Sequence, residues 1–365
     1  MNFDACEVNM SQWKREFPLS VRDALMKAEE LINSASTSSR HQGIKQSELA
    51  MELITESVFC ETDRRGVSKM LSSLQEAELM EVISDHMLYD ARGSEASRNA
   101  LFQALFPPTA TSRIRFLVSL ISLAISTRNA PVLKAASILL QQAGCSTPFS
   151  GKVARGLVEE FFILVNANCQ VVIDLPKIAP LFTAIFLSAL AYGYICIDGA
   201  SWQHFPPDCF IEVITRWVRE HQDLCHAPLK ENCILIPGIR PPTPYLGLFM
   251  WSVMSCLNGR GEVYTELYDI LCSIFRGGSL FVSDDLKPLV SHLSAASTRF
   301  CSSDSELKET SLAIAVDRFS RFLSMAVAEN TLYVDQDFWQ SVSELYRISS
   351  NSFLFPLLEK HLPSS

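Results

Sequence analysis

The chain has 365 residues, 48% hydrophobic and 19% charged, a globular balance that excludes disorder over most of its length. A formal net charge of −9 makes the molecule as a whole repel nucleic acid, although a local basic patch can still exist. Glycine is scarce at 14 and strand-like alternation is hard to find, so the expectation is an all-α protein of one large or two ordinary domains.

Helical periodicity runs from one end to the other. Residues 20–32 place Val21, Leu25, Ala28 and Ile32 on one face, with Ser20 as candidate N-cap. The serine-rich stretch 33–43 reads as a flexible loop, and a second helix follows at 47–59. Over 71–87, Ser73 and Glu76 have capping-box spacing, and Leu74, Leu79, Val82 and Ile83 form an apolar stripe. Residues 94–106 read as a helix stopped by Pro107 and Pro108. Further helices are expected at 112–126, 131–144 and 151–165, the second opened by Pro131 and closed by Gly144.

Between Lys177 and Asp198 lie twenty residues without a charge, IAPLFTAIFLSALAYGYICI. A spanning helix needs about 20 predominantly apolar residues. Here Pro180 suits the first turn and Gly193 the C-terminal cap, which leaves about 13 residues, or roughly 20 Å. A buried core helix is expected instead of a membrane span, with Leu181, Ile185 and Leu187 buried.

The second half continues in helices. Residues 206–221 put Phe210, Ile214, Trp217 and Val218 on one face. Residues 227–244 hold five prolines and cannot be helical, so they read as an extended connection. Helices at 245–257 and 262–275 are joined by the turn Asn258-Gly259-Arg260-Gly261. Others are expected at 283–300, 305–330, 335–348 and 351–362. Successive pairs take about 38 to 48 residues, close to helical-hairpin repeats of the HEAT and armadillo kind. The expected architecture is an irregular α-solenoid of such hairpins, with a compact bundle as the alternative. Its regions would be 1–226, a proline-rich connection at 227–244, and 245–365.

Motifs that carry chemistry are almost absent. Gly259-Arg260-Gly261 lacks the third glycine and preceding strand of a nucleotide loop, and neither a G-x-S-x-G elbow nor an H-E-x-x-H helix occurs. Eleven cysteines without a C-x-x-C pair, and a start without a basic or apolar leader, point to reduced thiols in the cytosol or nucleus. Cys209, His221, Cys225, His226 and Cys233 have metal-like composition. Their spacing matches no named zinc module, so buried structural residues are the weightier reading and no cofactor is expected. Phe249, Trp251, Trp217 and Trp339 read as core or groove lining.

The informative feature is an absence. From Ala96 to Val158 there is no Asp or Glu, yet Arg98, Arg113, Arg115, Arg128, Lys134, Lys152 and Arg155 are present. Burial alone would deplete lysine and arginine as well as acids. The segment is expected to offer a basic, partner-facing surface, to an acidic protein ahead of RNA.

Six stretches occur in an order that resembles one family: VRDALMKAEELI, LSSLQEAELMEVI, ALFQALFPP, APVLKAASILLQQ, TPYLGLFMW and AVDRFSRFLSMAVA. The chain resembles the Integrator complex subunit 15 family from about Val21 to its final helix. That resemblance implies a nuclear, non-catalytic, helical-repeat protein without cofactors. Integrator acts on paused RNA polymerase II, nascent transcripts and small nuclear RNA 3′ ends, and its endonuclease and phosphatase activities belong to other subunits. Implied partners are other Integrator subunits, notably the arm module with subunits ten, thirteen and fourteen, which the protein would connect to the rest of the complex. Membrane association is not implied and direct nucleic-acid binding is not favoured; an RNA-binding adaptor using 96–158 is the alternative. Some members carry a basic insertion where this chain has only residues 258–261, and some a proline-rich extension beyond the position of His361-Leu362-Pro363. Roles of those segments do not transfer.

Overall fold

The computed structural model describes residues 19–61, 71–88, 94–162, 170–194, 205–226, 244–275, 281–301, 306–349 and 354–362. Among the described residues the protein is all-α apart from one two-residue strand pair, and the chain divides into two compact units, Met1–Gly193 and Tyr194–Ser365. The division falls earlier than the proline-rich connection, which apart from Pro244 lies outside the described residues.

Unit 1 holds α1 (Leu19–Thr37), α2 (Arg40–Leu53), α3 (Ser73–Leu88), α4 (Glu95–Leu105), α5 (Ile114–Ser126), α6 (Ala130–Ala143) and α7 (Pro148–Leu157). Two short helices, α8 (Gln170–Ile173) and α9 (Leu175–Ile178), lead to α10 (Pro180–Tyr194). After the α1–α2 hairpin, helices pack with the next but one in sequence: α3 with α5, α5 with α7, and α4 with α6. Helix α6 also packs on α3, α5 and α7. Two π-turns, Ile54–Val58 and Val158–Phe162, extend α2 and α7 and rotate the residues that follow.

Helix α10 carries the uncharged run. It has 15 residues, about 22 Å at 1.5 Å per residue, and its residues from Phe182 to Ala191 are all buried. Ile185 and Leu187 are fully buried and Leu181 is half-buried. Among the described residues no helix is long and apolar enough to cross a membrane. Gly193 differs from its expected capping role: it lies within the helix and meets Gly151 of α7. A Cβ at Gly193 would sit 2.9 Å from the Gly151 Cα, and one at Gly151 would sit 3.0 Å from the Gly193 Cα.

Unit 2 holds α11 (Asp208–Glu220), α12 (Pro244–Leu257), α13 (Thr265–Ser273), α14 (Ser283–Cys301), α15 (Glu306–Ala328), α16 (Gln336–Ser349) and α17 (Leu354–His361). Helix α12 is buried from Pro244 to Cys256 and packs on α13 and α15, while α14 packs on α15 and α16. The pair β1 (Phe281–Val282) and β2 (Leu332–Tyr333) is parallel and ties the start of α14 to the turn after α15. Phe249, Phe275, Phe281 and Phe322 form one ring cluster, with Phe249 and Phe322 stacked at 4.1 Å. Trp217, Trp251, Phe249 and Trp339 are all buried, which places them in the core.

Unit 2 is also joined by a buried guanidinium. Arg318 of α15 donates to the Ser252 carbonyl of α12, to the Gly261 carbonyl (3.0 Å) and to the Thr265 hydroxyl (2.8 Å). Its guanidinium lies over the Tyr268 ring, whose hydroxyl donates back to the Arg318 carbonyl.

Local chemistry moves several expected boundaries. The serine-rich stretch is helical except for a break at Ser38 and Ser39, and the Ser36 and Thr37 hydroxyls donate to carbonyls of the preceding turn in place of water. The capping box sits one residue earlier than Ser73–Glu76: Gln75 N–H donates to Ser72 Oγ, and Ser72 N–H donates to Gln75 Oε1. That shift leaves Leu74 69% exposed and outside the apolar stripe of Leu79, Val82 and Ile83. Ser20 lies inside α1 and does not cap it.

An alanine in a helix interior is worth about 1 kcal/mol over glycine, so a loss on substitution reports steric conflict. Gly193→Ala is expected to destabilise unit 1 by about 1–3 kcal/mol, because the atom it meets across the contact is backbone and cannot rotate away. Chemical denaturation of the wild type and variant measures it.

Candidate interaction surface

The structure separates the seven cations of the acid-free segment into two groups. Arg113 closes a short 3-10 turn, Thr111–Arg113, ahead of α5, and only 5% of it is exposed. Its Nε and Nη2 donate to Glu61 Oε1 (3.0 Å) and Oε2 (2.7 Å), a two-pronged pair. Its remaining donors reach the Leu105 carbonyl (2.8 Å) at the end of α4 and the Thr55 hydroxyl (3.2 Å) in the first π-turn. The Phe59 ring lies against the guanidinium, 4.3 Å away, and packs edge-on to Phe106 and Phe116. Arg113 is therefore engaged inside the fold, unlike the outward role its place in the segment suggested.

Two more cations are engaged closer to the surface. Half-buried Arg98 donates to the Met87 carbonyl (3.2 Å), joining α4 to the end of α3. Lys134 of α6 pairs with Glu95 of α4 at 2.6 Å, with both side chains about half exposed. Such an exposed pair adds at most about 1 kcal/mol. Arg115, Arg128, Lys152 and Arg155 are exposed, and none of the four side chains forms a hydrogen bond or ion pair with a described residue. The field of Arg128 does reach Asp174, which helps hold that carboxyl below its usual range behind the larger effect of a Gln170 hydrogen bond.

A polar cluster that periodicity does not reveal lies within the same unit. Glu29 of α1 accepts from Ser97 of α4 (2.6 Å) and pairs with His86 Nε2 of α3 (2.9 Å), and all three residues are buried. The cluster pins three helices together. Serine and histidine both face the carboxylate and not each other, so it lacks the nucleophile–base contact that acyl transfer requires. Nothing in the sequence singles out Glu29, His86 or Ser97, because His86 and Ser97 lie 57 and 68 positions from Glu29 along the chain.

The described members of the metal-like set do not converge on one site. Cys225 is buried, and burial pushes its thiol up to about 12, whereas Cys209 is exposed. His226 stacks on Tyr245, with ring centroids 5.6 Å apart. Cys233 lies outside the described residues. Among the described residues no group of three or more His, Cys, Asp or Glu is arranged to hold a metal. The short turn at 258–261 serves as a fastening within unit 2. Arg260 donates to the Pro206 carbonyl (3.0 Å) and pairs with Asp208, which ties the turn to the start of α11.

Two carboxyls should make the fold acid-sensitive. The Arg113 hydrogen bond holds Glu61 below its ordinary value, and the His86 hydrogen bond does the same for Glu29. Each folded pKa is lower than the unfolded one. The stability they contribute is therefore complete above the ordinary carboxylate range and is lost as pH falls through the lowered values. The denaturation midpoint of the wild type should drop as pH falls below the ordinary carboxylate range. A Glu29→Gln/Glu61→Gln variant should start less stable and show a flatter profile; parallel profiles would contradict the assignment.

Comparison with known proteins accords with this helical, motif-poor chain. A family model described as Integrator complex subunit 15 matches residues 6–346. An Integrator complex subunit 15 from Drosophila melanogaster is 28% identical over 333 residues, covering 87% of either chain. One from Danio rerio is 25% identical over 359 residues, covering 87% of this chain and 74% of its own. One from Mus musculus is 30% identical over 220 residues, covering 57% of this chain and 47% of its own. With the match running through both compact units, the chain belongs to the Integrator complex subunit 15 family.

Proposed function

We propose that this protein is a non-catalytic scaffold subunit of the nuclear Integrator complex, which links the arm module of subunits ten, thirteen and fourteen to the rest of the assembly. The family match over residues 6–346 is the observation that carries this reading. Through that complex the protein serves transcription by RNA polymerase II and small nuclear RNA 3′-end processing. Its mechanism is recognition: packed helices hold side chains in a fixed array, and partners bind the array.

The architecture we infer is an irregular α-solenoid of HEAT/armadillo-like hairpins. In its favour, α3, α5 and α7 pack in succession, and α4 packs on α6. Each helix thus meets its next-but-one neighbour, the contact pattern of stacked hairpins. The outward cations of residues 96–158 are the partner-facing part of this array, and Arg113 anchors it from inside. An RNA-binding adaptor using the same cations is the rival reading, and the net charge of −9 weighs against it.

Affinity purification of the tagged full chain from nuclear extract, with quantitative mass spectrometry, tests the proposal. Recovery of Integrator subunits, those of the arm module most strongly, is the expected result. A chain that is soluble and nuclear yet recovers none of them would refute it.

A further inference from the structure

Four outward cations remain after the internal partners are assigned: Arg115, Arg128, Lys152 and Arg155. Their placement is not scattered. Helices α5 and α7 lie side by side, with Val118 packed against Gly156, and α6 packs on both. Ser119 of α5 also donates to Glu160 just past α7, so the side of α5 that carries Arg115 adjoins α7. Arg115 stands in the first turn of α5 and Arg128 just past its end, about 20 Å apart at 1.5 Å per residue. Lys152 and Arg155 stand one turn apart on the exposed face of α7.

The floor between Arg115 and Arg128 is low. Ser119, Ser122 and Ser126 follow Arg115 at helical spacing, and their hydroxyls donate to Glu160, the Val118 carbonyl and the Ser122 carbonyl. These short, internally bonded side chains let another helix approach the α5 backbone. Glu160 is occupied by Ser119, which leaves Glu159 as the exposed acid at the rim beside Arg155. The face presents cations at both ends of a shallow serine-lined track, with Glu159 beside Arg155 and Asp174 within the field of Arg128 as its neighbouring acids.

Arg128 adds an observation independent of charge. Its φ is +55°, in the left-handed region, at the position after a helix where glycine is favoured. Arg128 N–H donates to the Ile125 carbonyl and Asn129 N–H to the Ala124 carbonyl, completing that C-terminal cap. Any residue with a Cβ strains the backbone there. The guanidinium gains from the helix dipole, and it is exposed at the end of the serine track.

We propose that Arg115, Arg128, Lys152 and Arg155 form a docking surface for an acidic helix of about four turns, supplied by another Integrator subunit. The length follows from the ~20 Å between the end cations. The surface rests on the scaffold reading above. A protein segment fits better than RNA, because acids elsewhere on this chain repel a continuous polyanion while a discrete acidic helix ends where the cations end.

The test compares the tagged full-length wild type with Arg115→Glu/Lys152→Glu/Arg155→Glu and with Arg128→Gly, in nuclear extract with and without ribonuclease. The triple variant should lose recovery of at least one Integrator subunit by tenfold or more, with ribonuclease making no difference and the melting temperature within about 2 °C of wild type. Arg128→Gly relieves the strained cap, so it should melt no lower than wild type yet recover about threefold less. Equal recovery by wild type and both variants would overturn the surface while leaving the scaffold reading intact. Wild-type recovery abolished by ribonuclease would overturn it in favour of RNA. If the wild type recovers no Integrator subunit, the scaffold reading fails and the surface falls with it.

Discussion

A buried guanidinium next to α5 fixes much of unit 1. Arg113 sits where three separate pieces of chain converge: the π-turn after α2, the end of α4 and the start of α5. Taking such a charge out of water is costly unless it is paired and fully hydrogen-bonded. Here a carboxylate, a carbonyl and a hydroxyl accept from it, and Phe59 covers its face. Removing any one of these pieces leaves polar groups buried without partners. The constraint also accounts for nearby backbone: the π-turn and the positive φ of Cys60 (+53°) bring Glu61 back toward Arg113. Unit 2 uses the same device differently, since Arg318 satisfies its charge with two carbonyls, a hydroxyl and the Tyr268 ring.

Most helices were legible because burial on one face imposes a 3.6-residue period on apolar positions. Helix α11 shows it best, with Phe210, Ile214, Trp217 and Val218 buried and Glu212, Arg216 and Arg219 exposed. Legibility ended where one residue type serves two purposes. Ser36 looked like part of a loop, yet it is helical and its hydroxyl donates to the preceding turn, and the break is confined to Ser38 and Ser39. Gly193 looked like a cap, yet it makes room for the backbone of another helix. The strand pair could not be seen at all, because two residues carry no period.

The basic segment was legible as a composition and illegible as a surface. Seven cations without an acid signalled unusual electrostatics, but a count cannot tell a buried guanidinium from an exposed one. Arg113 and Arg115 are two residues apart and differ completely: one is held by Glu61, and the other is exposed. What separates them is a partner 52 positions earlier in the chain. This division suits a scaffold, in which some charges set the positions of helices and others are presented by them. Rigid placement lowers the entropic cost of binding, so under the proposed scaffold role internal clamps would serve recognition indirectly.

The central claim is that the Arg113–Glu61 pair is a coupled unit and not two separate surface residues. A double-mutant cycle tests it directly, using denaturant unfolding of the wild type, Arg113→Met, Glu61→Gln and the double variant at pH 7. The predicted coupling energy is about 2–3 kcal/mol, with each single variant costing nearly as much as the double. Additive single losses, with coupling below about 0.5 kcal/mol, would contradict it.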